Sequence, residues 1–203
     1  MSILVLVRHG ESQFNLENRF TGWLDVPLSD KGIVEAVEAG MRIKSENIHL
    51  DKVYTSPLQR STNSLEYVLK MLGQTNVELE SDAALNERHY GDLQGLNKSE
   101  AAKKFGEKQV KVWRRSYDVA PPNGESLKDT AARVLPYFHS RIMADIEGGK
   151  NVLVMTHGNS LRCIVMELDH LDEKQVEKLE IPTGVPMIYS FDKENNISKK
   201  ELR

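Results

Sequence analysis

Two histidines stand in nearly the same local sequence, and both could do chemistry on an anion. His9 follows the apolar residues 3–7 and has Arg8 beside it, whereas His157 follows the apolar run Val152–Thr156; each histidine is followed at once by glycine. A lone histidine after a strand is most simply a structural residue, but this matched pair favours an anion site. A neutral imidazole nitrogen can also act as a nucleophile near neutral pH without help from a metal.

Other side chains of the right chemistry accompany the two histidines. Arg60 is predicted in the first turn of a helix that follows a strand, and Glu87 lies in a polar segment. Guanidinium groups bind phosphate oxygens in a bidentate way, and a carboxylate can move the proton of a hydroxyl group. The chain has no ligand spacing typical of zinc, no Walker loop and no dinucleotide fingerprint. These residue types together indicate phosphoryl transfer through a phosphohistidine.

The elements before the histidines determine whether the two side chains can meet. Both apolar runs predict strands that are buried on both faces, as inside a parallel sheet. In open α/β sheets, ligands bind at the carboxyl ends of the strands. If the two strands are neighbours, His9 and His157 lie side by side at that edge.

Strands and helices alternate along the chain, which predicts an α/β fold: a single three-layer domain with a mainly parallel sheet flanked by helices. Further strands are predicted at 52–55, 77–79 and 186–192. Helices are predicted at 29–45 with Ser29 as N-cap, 57–72 with Ser56 as N-cap and Pro57 in the first position, 98–105, 108–117, 126–146 with a kink at Pro136, 160–168 and 173–179. Residues 11–26 and 83–97 are predicted to be loops.

Composition limits the class of protein. The 203 residues are 39% hydrophobic, enough for one sizeable core, so one catalytic domain is expected over residues 1–203. The net charge of −3 argues against a general nucleic-acid binder. The N-terminal apolar run of five residues is too short for a signal peptide or a membrane span. A single cysteine, Cys163, allows no disulfide framework within the chain, which fits a reducing compartment. We therefore expect a cytoplasmic protein without nucleic-acid or membrane partners.

Arg8, His9, Gly10 and Glu11 together resemble the signature of the histidine phosphatase superfamily. Further segments are similar to one branch of it, the cofactor-dependent phosphoglycerate mutases that use 2,3-bisphosphoglycerate. The matching segments are 8–15, 20–23, 54–56, 85–88, 90–98, 113–118 and 156–160, which are spread over nearly the whole chain. The Arg-His-Gly triplet marks the superfamily, and segments 86–88, 95–98 and 113–118 are much more specific.

The resemblance implies a role for each matching residue. His9 would be the nucleophile that carries the phosphoryl group, His157 would stabilise that group in flight, and Glu87 would donate and accept the proton. The transferring phosphate would be held by Arg8, Asn15, Arg60, Gly158 and Asn159. The carboxylate and the second phosphate would be held by Ser12, Thr21, Gly22, Tyr90, Lys98, Arg114 and Arg115, and Arg88 also belongs to the substrate-binding set.

The implied activity is that of a phosphoglycerate mutase in glycolysis and gluconeogenesis. Such an isomerase converts 3-phosphoglycerate to 2-phosphoglycerate through bound 2,3-bisphosphoglycerate, which also serves as the priming phosphate donor, and it needs no metal. Ser12 supports this branch, because the related bisphosphoglycerate mutases have glycine at the matching place. Two alternatives stay open: a phosphatase of the same fold with a histidine nucleophile, and a non-catalytic phosphate-binding module. The module is the weakest, since every expected catalytic position is filled.

The chain departs from the family pattern in three places. Phe14 stands where tryptophan is usual, the connection between Asp118 and Glu125 is shorter than in many members, and the C-terminal tail after residue 195 is short and charged. No implied role lies in the missing parts, so the chemistry is expected to be intact. Residues around 83–126 are expected to form lid-like elements. Lid closure and oligomeric state, including a homo-oligomer, stay open.

Overall fold

Within residues 1–202, which the computed structural model describes, the strands form one sheet in the order β3-β2-β4-β1-β5-β6. The strands are β1 Ser2–Arg8, β2 Lys52–Thr55, β3 Glu78–Ser81, β4 Val152–Thr156, β5 Met187–Phe191 and β6 Ile197–Leu202. The pairs β1–β4, β4–β2 and β2–β3 are parallel, whereas β5 and β6 are antiparallel additions. The mainly parallel α/β sheet predicted from the sequence is confirmed.

Helices cover both faces of this sheet. They are α1 Gln13–Leu16, α2 Asp30–Ser45, α3 Gln59–Leu72, α4 Lys98–Phe105, α5 Glu107–Arg115, α6 Leu127–Tyr137, α7 Ala144–Glu147, α8 Gly158–Leu168 and α9 Glu173–Lys178. Successive residues of β1 point to opposite faces, so Leu4 joins the core under α6 and α8 while Val5 joins the core under α2 and α3. This double burial explains the unbroken apolar run of β1 and gives three layers. No helix among residues 1–202 combines the length and the apolar character that crossing a bilayer requires.

The predicted start of α3 is wrong, and the reason lies in the site. The sequence predicts Ser56 as the cap of this helix, but the helix begins at Gln59, and its N-cap Leu58 makes no side-chain cap bond. The Ser56 hydroxyl lies 2.6 Å from Nε2 of His157. That contact competes with the capping role that local sequence indicates, and it leaves Pro57 outside the helix.

The segment predicted as one long helix with a kink is interrupted in a different way. The sequence predicts a helix from residue 126, whereas Ser126 is the N-cap of α6, and a π-helix, Phe138–Met143, joins α6 to α7. Pro136 lacks an N–H and cannot make the usual bond to the carbonyl four residues earlier. The disturbance near Pro136 therefore appears as a widened turn of helix.

Four short elements are not predicted from the sequence. Two are the 3-10 helices Ala83–Leu85 and Gly91–Leu93, which lie in the segment 83–97 expected to be a loop. Residues 11–26, expected to be a loop, contain α1, which is capped by a reciprocal pair of bonds between Ser12 and Asn15. The segment expected to be a charged tail is β6, paired with β5. Four helical residues carry no detectable period, and β6 is polar because it is an exposed edge strand, where lysine discourages further pairing.

Candidate active site

The two histidines lie side by side at the carboxyl edge of the sheet, as predicted. β1 and β4 are parallel neighbours with Arg8 opposite Thr156, so the next residue of each strand reaches the same edge. The ring centroids of His9 and His157 are 4.9 Å apart, and the rings meet edge to face. The backbone N–H of His9 also donates to the carbonyl of Thr156 at 2.9 Å, which fixes one strand end against the other.

One hydrogen bond defines the tautomer of His9. Its Nδ1 lies 2.6 Å from the carbonyl oxygen of Gly10, and a carbonyl can only accept, so Nδ1 carries the proton. Nε2 therefore keeps its lone pair. Burial, followed by the charges of Arg60 and Arg8, holds the pKa of His9 well below its ordinary value, although the Gly10 carbonyl opposes this shift. His9 is thus a neutral imidazole with a free nitrogen lone pair, as a nucleophile requires.

His157 is held from the opposite side of its ring. Ser56 Oγ lies 2.6 Å from Nε2, and the N–H of Leu58 donates to that same oxygen at 3.4 Å. Nδ1 of His157 is buried and has no hydrogen-bond partner in the protein. Burial and the nearby charge of Arg60 keep the pKa of His157 well below its ordinary value. A buried polar atom without a partner costs free energy, so Nδ1 is a natural contact for a ligand.

Two arginines place positive charge beside the histidine pair. Arg8 donates from one guanidinium nitrogen to the carbonyl of Ile181 at 2.8 Å, and its Nε is buried without a protein partner. Arg60 is 1% exposed and donates to the carbonyls of Gly22 and Leu24. Burial lowers the pKa of Arg60 to about 10, so its guanidinium stays charged at neutral pH.

Glu87 is a carboxylate of this region that could accept and donate a proton, and hydrogen bonds hold it in place. Its Oε1 accepts hydrogen bonds from the N–H of Arg88 at 2.8 Å and from the backbone and side chain of Asn159 at 3.1 and 2.9 Å. Its backbone carbonyl accepts from Trp23 and Arg133. The carboxylate is therefore tied to the first turn of α8, next to His157.

A cavity of about 150 Å³ opens at this edge of the sheet. Its lining includes most of the residues that the sequence predicted for substrate binding: Asn15, Thr21, Gly22, Tyr90, Lys98, Arg114, Arg115, Gly158 and Asn159, together with Arg8 and Glu87. Arg19 and Arg162 bring the lining to six cationic side chains against two carboxylates. Burial and the charge of Arg114 lower the pKa of Lys98. A surplus of this size favours a ligand with several negative charges.

Comparisons with known proteins show the family of this chain. The family model described as "Histidine phosphatase superfamily (branch 1)" matches residues 4–200. The chain belongs to the histidine phosphatase superfamily. It is 52% identical over 201 residues to the phosphoglycerate mutase of Schizosaccharomyces pombe, covering 99% of this chain and 95% of that protein. It is 51% identical to the 2,3-bisphosphoglycerate-dependent phosphoglycerate mutase of Parvibaculum lavamentivorans, covering 99% and 96%.

Two solved structures share the fold of this chain. Bacillus stearothermophilus YhfR has a TM-score of 0.82 at 28% identity, over 95% of this chain and 92% of that one. A mycobacterial glucosyl-3-phosphoglycerate phosphatase has a TM-score of 0.83 at 24% identity, over 100% and 97%. The latter likeness concerns the fold alone.

Some residues predicted for this histidine phosphatase site lie behind the cavity lining. They are His9, Ser12, Arg60, Arg88 and His157, all of them buried. Ser12 caps α1 and bonds Asn15, which does reach the cavity. Arg88 bonds Tyr90 and the carbonyl of Arg114, and its Nε and one terminal nitrogen have no protein partner.

The cavity lining also includes residues that the sequence did not predict. They are Arg19, Phe20, Arg162, Leu179, Glu180 and Ile181. Arg162 had a usable signal, because it lies one helical turn after Asn159, and its guanidinium donates to the Asn159 side chain at 3.0 Å. Residues 179–181 gave no such signal, since they form a short irregular segment that reaches the site only in the folded chain. Among residues 1–202, no group of three His, Cys, Asp or Glu side chains could hold a metal ion.

Proposed function

We propose that this histidine phosphatase superfamily member is a 2,3-bisphosphoglycerate-dependent phosphoglycerate mutase that interconverts 3- and 2-phosphoglycerate, a step of glycolysis and gluconeogenesis. The observation that carries the proposal is that two groups of cations face one site. Arg8 lines the cavity beside the histidines with Arg60 buried behind it, and Lys98, Arg114 and Arg115 of α4 and α5 line the same cavity. The relatives at 52% and 51% identity are both named phosphoglycerate mutase, and the second is named 2,3-bisphosphoglycerate-dependent.

The chemistry follows from the free lone pair of His9. 2,3-Bisphosphoglycerate primes the enzyme by giving a phosphoryl group to Nε2. The 2-hydroxyl of 3-phosphoglycerate then attacks this phosphorus, the P–N bond breaks, and Glu87 takes the hydroxyl proton. The bound 2,3-bisphosphoglycerate turns, and Nε2 takes the other phosphoryl group. The leaving oxygen recovers the proton from Glu87, and 2-phosphoglycerate is released.

The transferring phosphoryl group needs donors around it. In this mechanism the Ser56 hydroxyl, which accepts from the Leu58 N–H, donates its proton to Nε2 of His157, and the imidazole then carries its proton on Nδ1. That N–H would donate to the phosphoryl oxygens together with Arg8, Arg60 and Asn15. Gly158 and Asn159 belong to the first turn of α8, where backbone N–H groups and the helix dipole favour an anion.

The second group of cations distinguishes a mutase from a simple phosphatase. A phosphatase needs one phosphate site and a path for water, whereas the mutase intermediate has two phosphates and a carboxylate. Lys98, Arg114 and Arg115, with Arg88, Ser12, Thr21, Gly22 and Tyr90, would hold the end of the substrate that is not reacting. Residues 83–126, which contribute several of these side chains, would act as lid-like elements that keep water from phospho-His9.

The deciding experiment is an assay of 3- to 2-phosphoglycerate conversion with and without 2,3-bisphosphoglycerate. We expect turnover to depend on catalytic amounts of the bisphosphate, to persist in a chelator and to be inhibited by vanadate, which mimics five-coordinate phosphorus. Release of inorganic phosphate without formation of 2-phosphoglycerate would support the phosphatase alternative. Loss of activity in a chelator, restored by a divalent metal, would contradict the proposed chemistry.

A further inference from the structure

Glu180 places a negative charge in a cavity that is lined mainly by cationic side chains. It lies between α9 and β5 and lines the cavity with its neighbours Leu179 and Ile181. Its carboxylate makes an ion pair with the guanidinium of Arg115, the last residue of α5. The adjacent carbonyl of Ile181 accepts from Arg8 at 2.8 Å, so this segment is anchored next to the histidine pair.

The ion pair engages Arg115, a cation that the proposed function assigns to substrate binding. A guanidinium binds carboxylate and phosphate oxygens through the same planar fork, so Glu180 and a substrate anion compete for Arg115. The Arg115 side chain is 34% exposed and that of Glu180 is 72% exposed, which places the contact at the mouth of the cavity. Exposed ion pairs are weak, so an arriving anion can break this one without disturbing the fold.

We propose that Glu180 sets the affinity for phosphoglycerates by holding Arg115 until a substrate displaces it. The inference rests on the proposed function for the identity of the substrate. A ligand that reaches Arg115 with its far end has to displace the carboxylate. A ligand that fills the space beside His9 alone does not meet this competition. Glu180 therefore distinguishes ligands by whether they extend to Arg115, and not by their charge alone.

The first test is Glu180→Gln, which removes the charge and keeps the shape. We expect KM for 3-phosphoglycerate to fall about two- to fivefold with kcat nearly unchanged, in line with the modest strength of an exposed pair. Inhibition by vanadate should not change. Glu66→Gln is the matched control, because Glu66 is an exposed glutamate paired with Lys70 on α3 and does not line the cavity. An unchanged KM in Glu180→Gln, or equal tightening for vanadate, would overturn the proposal.

A double-mutant cycle tests whether Glu180 acts through Arg115. In an Arg115→Ala background, Glu180→Gln should have no effect on KM, and the same twofold or larger fall there would also overturn the proposal. Calorimetric binding of 3-phosphoglycerate to the wild type and to Glu180→Gln keeps this test separate from the proposed activity. A wild type that binds 3-phosphoglycerate but forms no 2-phosphoglycerate would contradict the mutase function, while the ratio of the two affinities still decides the role of Glu180.

Discussion

At the scale of single residues, the reactivity of the site depends on which nitrogen of each imidazole carries a proton. The tautomer of His9 is set by a backbone carbonyl, which every residue type could supply. Nε2 of His157 instead contacts the hydroxyl of Ser56, which the proposed mechanism assigns as the donor. The sequence predicted both histidines from their matched contexts. It assigned Ser56 to the wrong partner, because a serine after a strand is locally indistinguishable from a helix cap.

His9→Ala tests the nucleophile. A phosphoramidate is labile in acid and stable in base, unlike a phosphoserine. We expect labelled 2,3-bisphosphoglycerate to leave an acid-labile label on the wild type and none on the variant, because Nε2 is the free lone pair. The measurement is the acid and base stability of protein-bound label. A label that persists in His9→Ala would mean that the nucleophile lies elsewhere.

Ser56→Ala tests the positioning of His157. Loss of the hydroxyl leaves Nε2 without its partner, so part of the population adopts the tautomer with no proton on Nδ1. A buried hydrogen bond contributes about 0.5–1.5 kcal/mol, which corresponds to a fall in kcat of about two- to tenfold, with little change in KM.

Ser61→Ala serves as the control for Ser56→Ala. The Ser61 hydroxyl is also buried and donates to the carbonyl of Met155 at 2.8 Å, so its loss affects stability without touching a histidine. In a His157→Gln background, Ser56→Ala should not reduce kcat further. A reduction of the same size there would show that Ser56 acts on something other than His157.

At the scale of elements, α5 is where the mutase and phosphatase hypotheses diverge. Arg115→Ala removes a cation from the second group and leaves the groups beside His9 in place. A charge-assisted hydrogen bond is worth about 1.5–3 kcal/mol, so mutase turnover should fall roughly ten- to a hundredfold. Hydrolysis of 2,3-bisphosphoglycerate should fall much less, or rise, because water gains access.

Both activities should be measured on Arg115→Ala and on Lys108→Ala. Lys108 is an exposed lysine of the same helix that does not line the cavity, so its loss should leave both activities unchanged. If the two activities of Arg115→Ala fall in parallel, the argument from two groups of cations is wrong and the hydrolase alternative gains.

The elements also show where local sequence information ends. β2, β4 and α4 have the predicted bounds, because their periodic or branched runs and caps agree with the fold. β6 is a charged edge strand whose pairing depends on β5, and α1 is one short turn. Neither has a core-facing pattern of its own, so only the assembled sheet and cavity reveal them.

At the scale of the whole molecule, the order of the strands brings the site together. Residues 9 and 157 are adjacent because β4 lies between β1 and β2, a long-range arrangement that no local pattern determines. The sequence predicted that His9 and His157 lie side by side if their strands are neighbours. The family resemblance implied most of the residues that line the cavity. The contribution of residues 179–181 depends on the return of the chain from α9 to β5, and no motif predicted it.

Burying two neutral histidines makes the stability of the whole fold depend on pH. Their pKa values are well below the ordinary value near 6.5 in the folded state, so the unfolded chain binds protons that the folded chain does not. The free energy of unfolding should therefore be at its maximum above about pH 6.5. Below that pH it should fall by up to about 2.7 kcal/mol per pH unit, the limit for two histidines that each bind a proton on unfolding. Bonding to Arg141 lowers the pKa of Glu80 to about 2, so its contribution is lost at more acidic pH, below about 4.5.

The measurement is the free energy of unfolding in urea between pH 7.5 and 5, in a phosphate-free buffer, because a bound anion would add its own stabilisation. His9→Asn combined with His157→Asn should flatten the profile between pH 6.5 and 5. His139→Asn is the control, since this histidine is 53% exposed and lies away from the cavity. A double variant that keeps the wild-type slope would show that other groups take up the protons. The two histidines would then not be the source of the instability in this pH range.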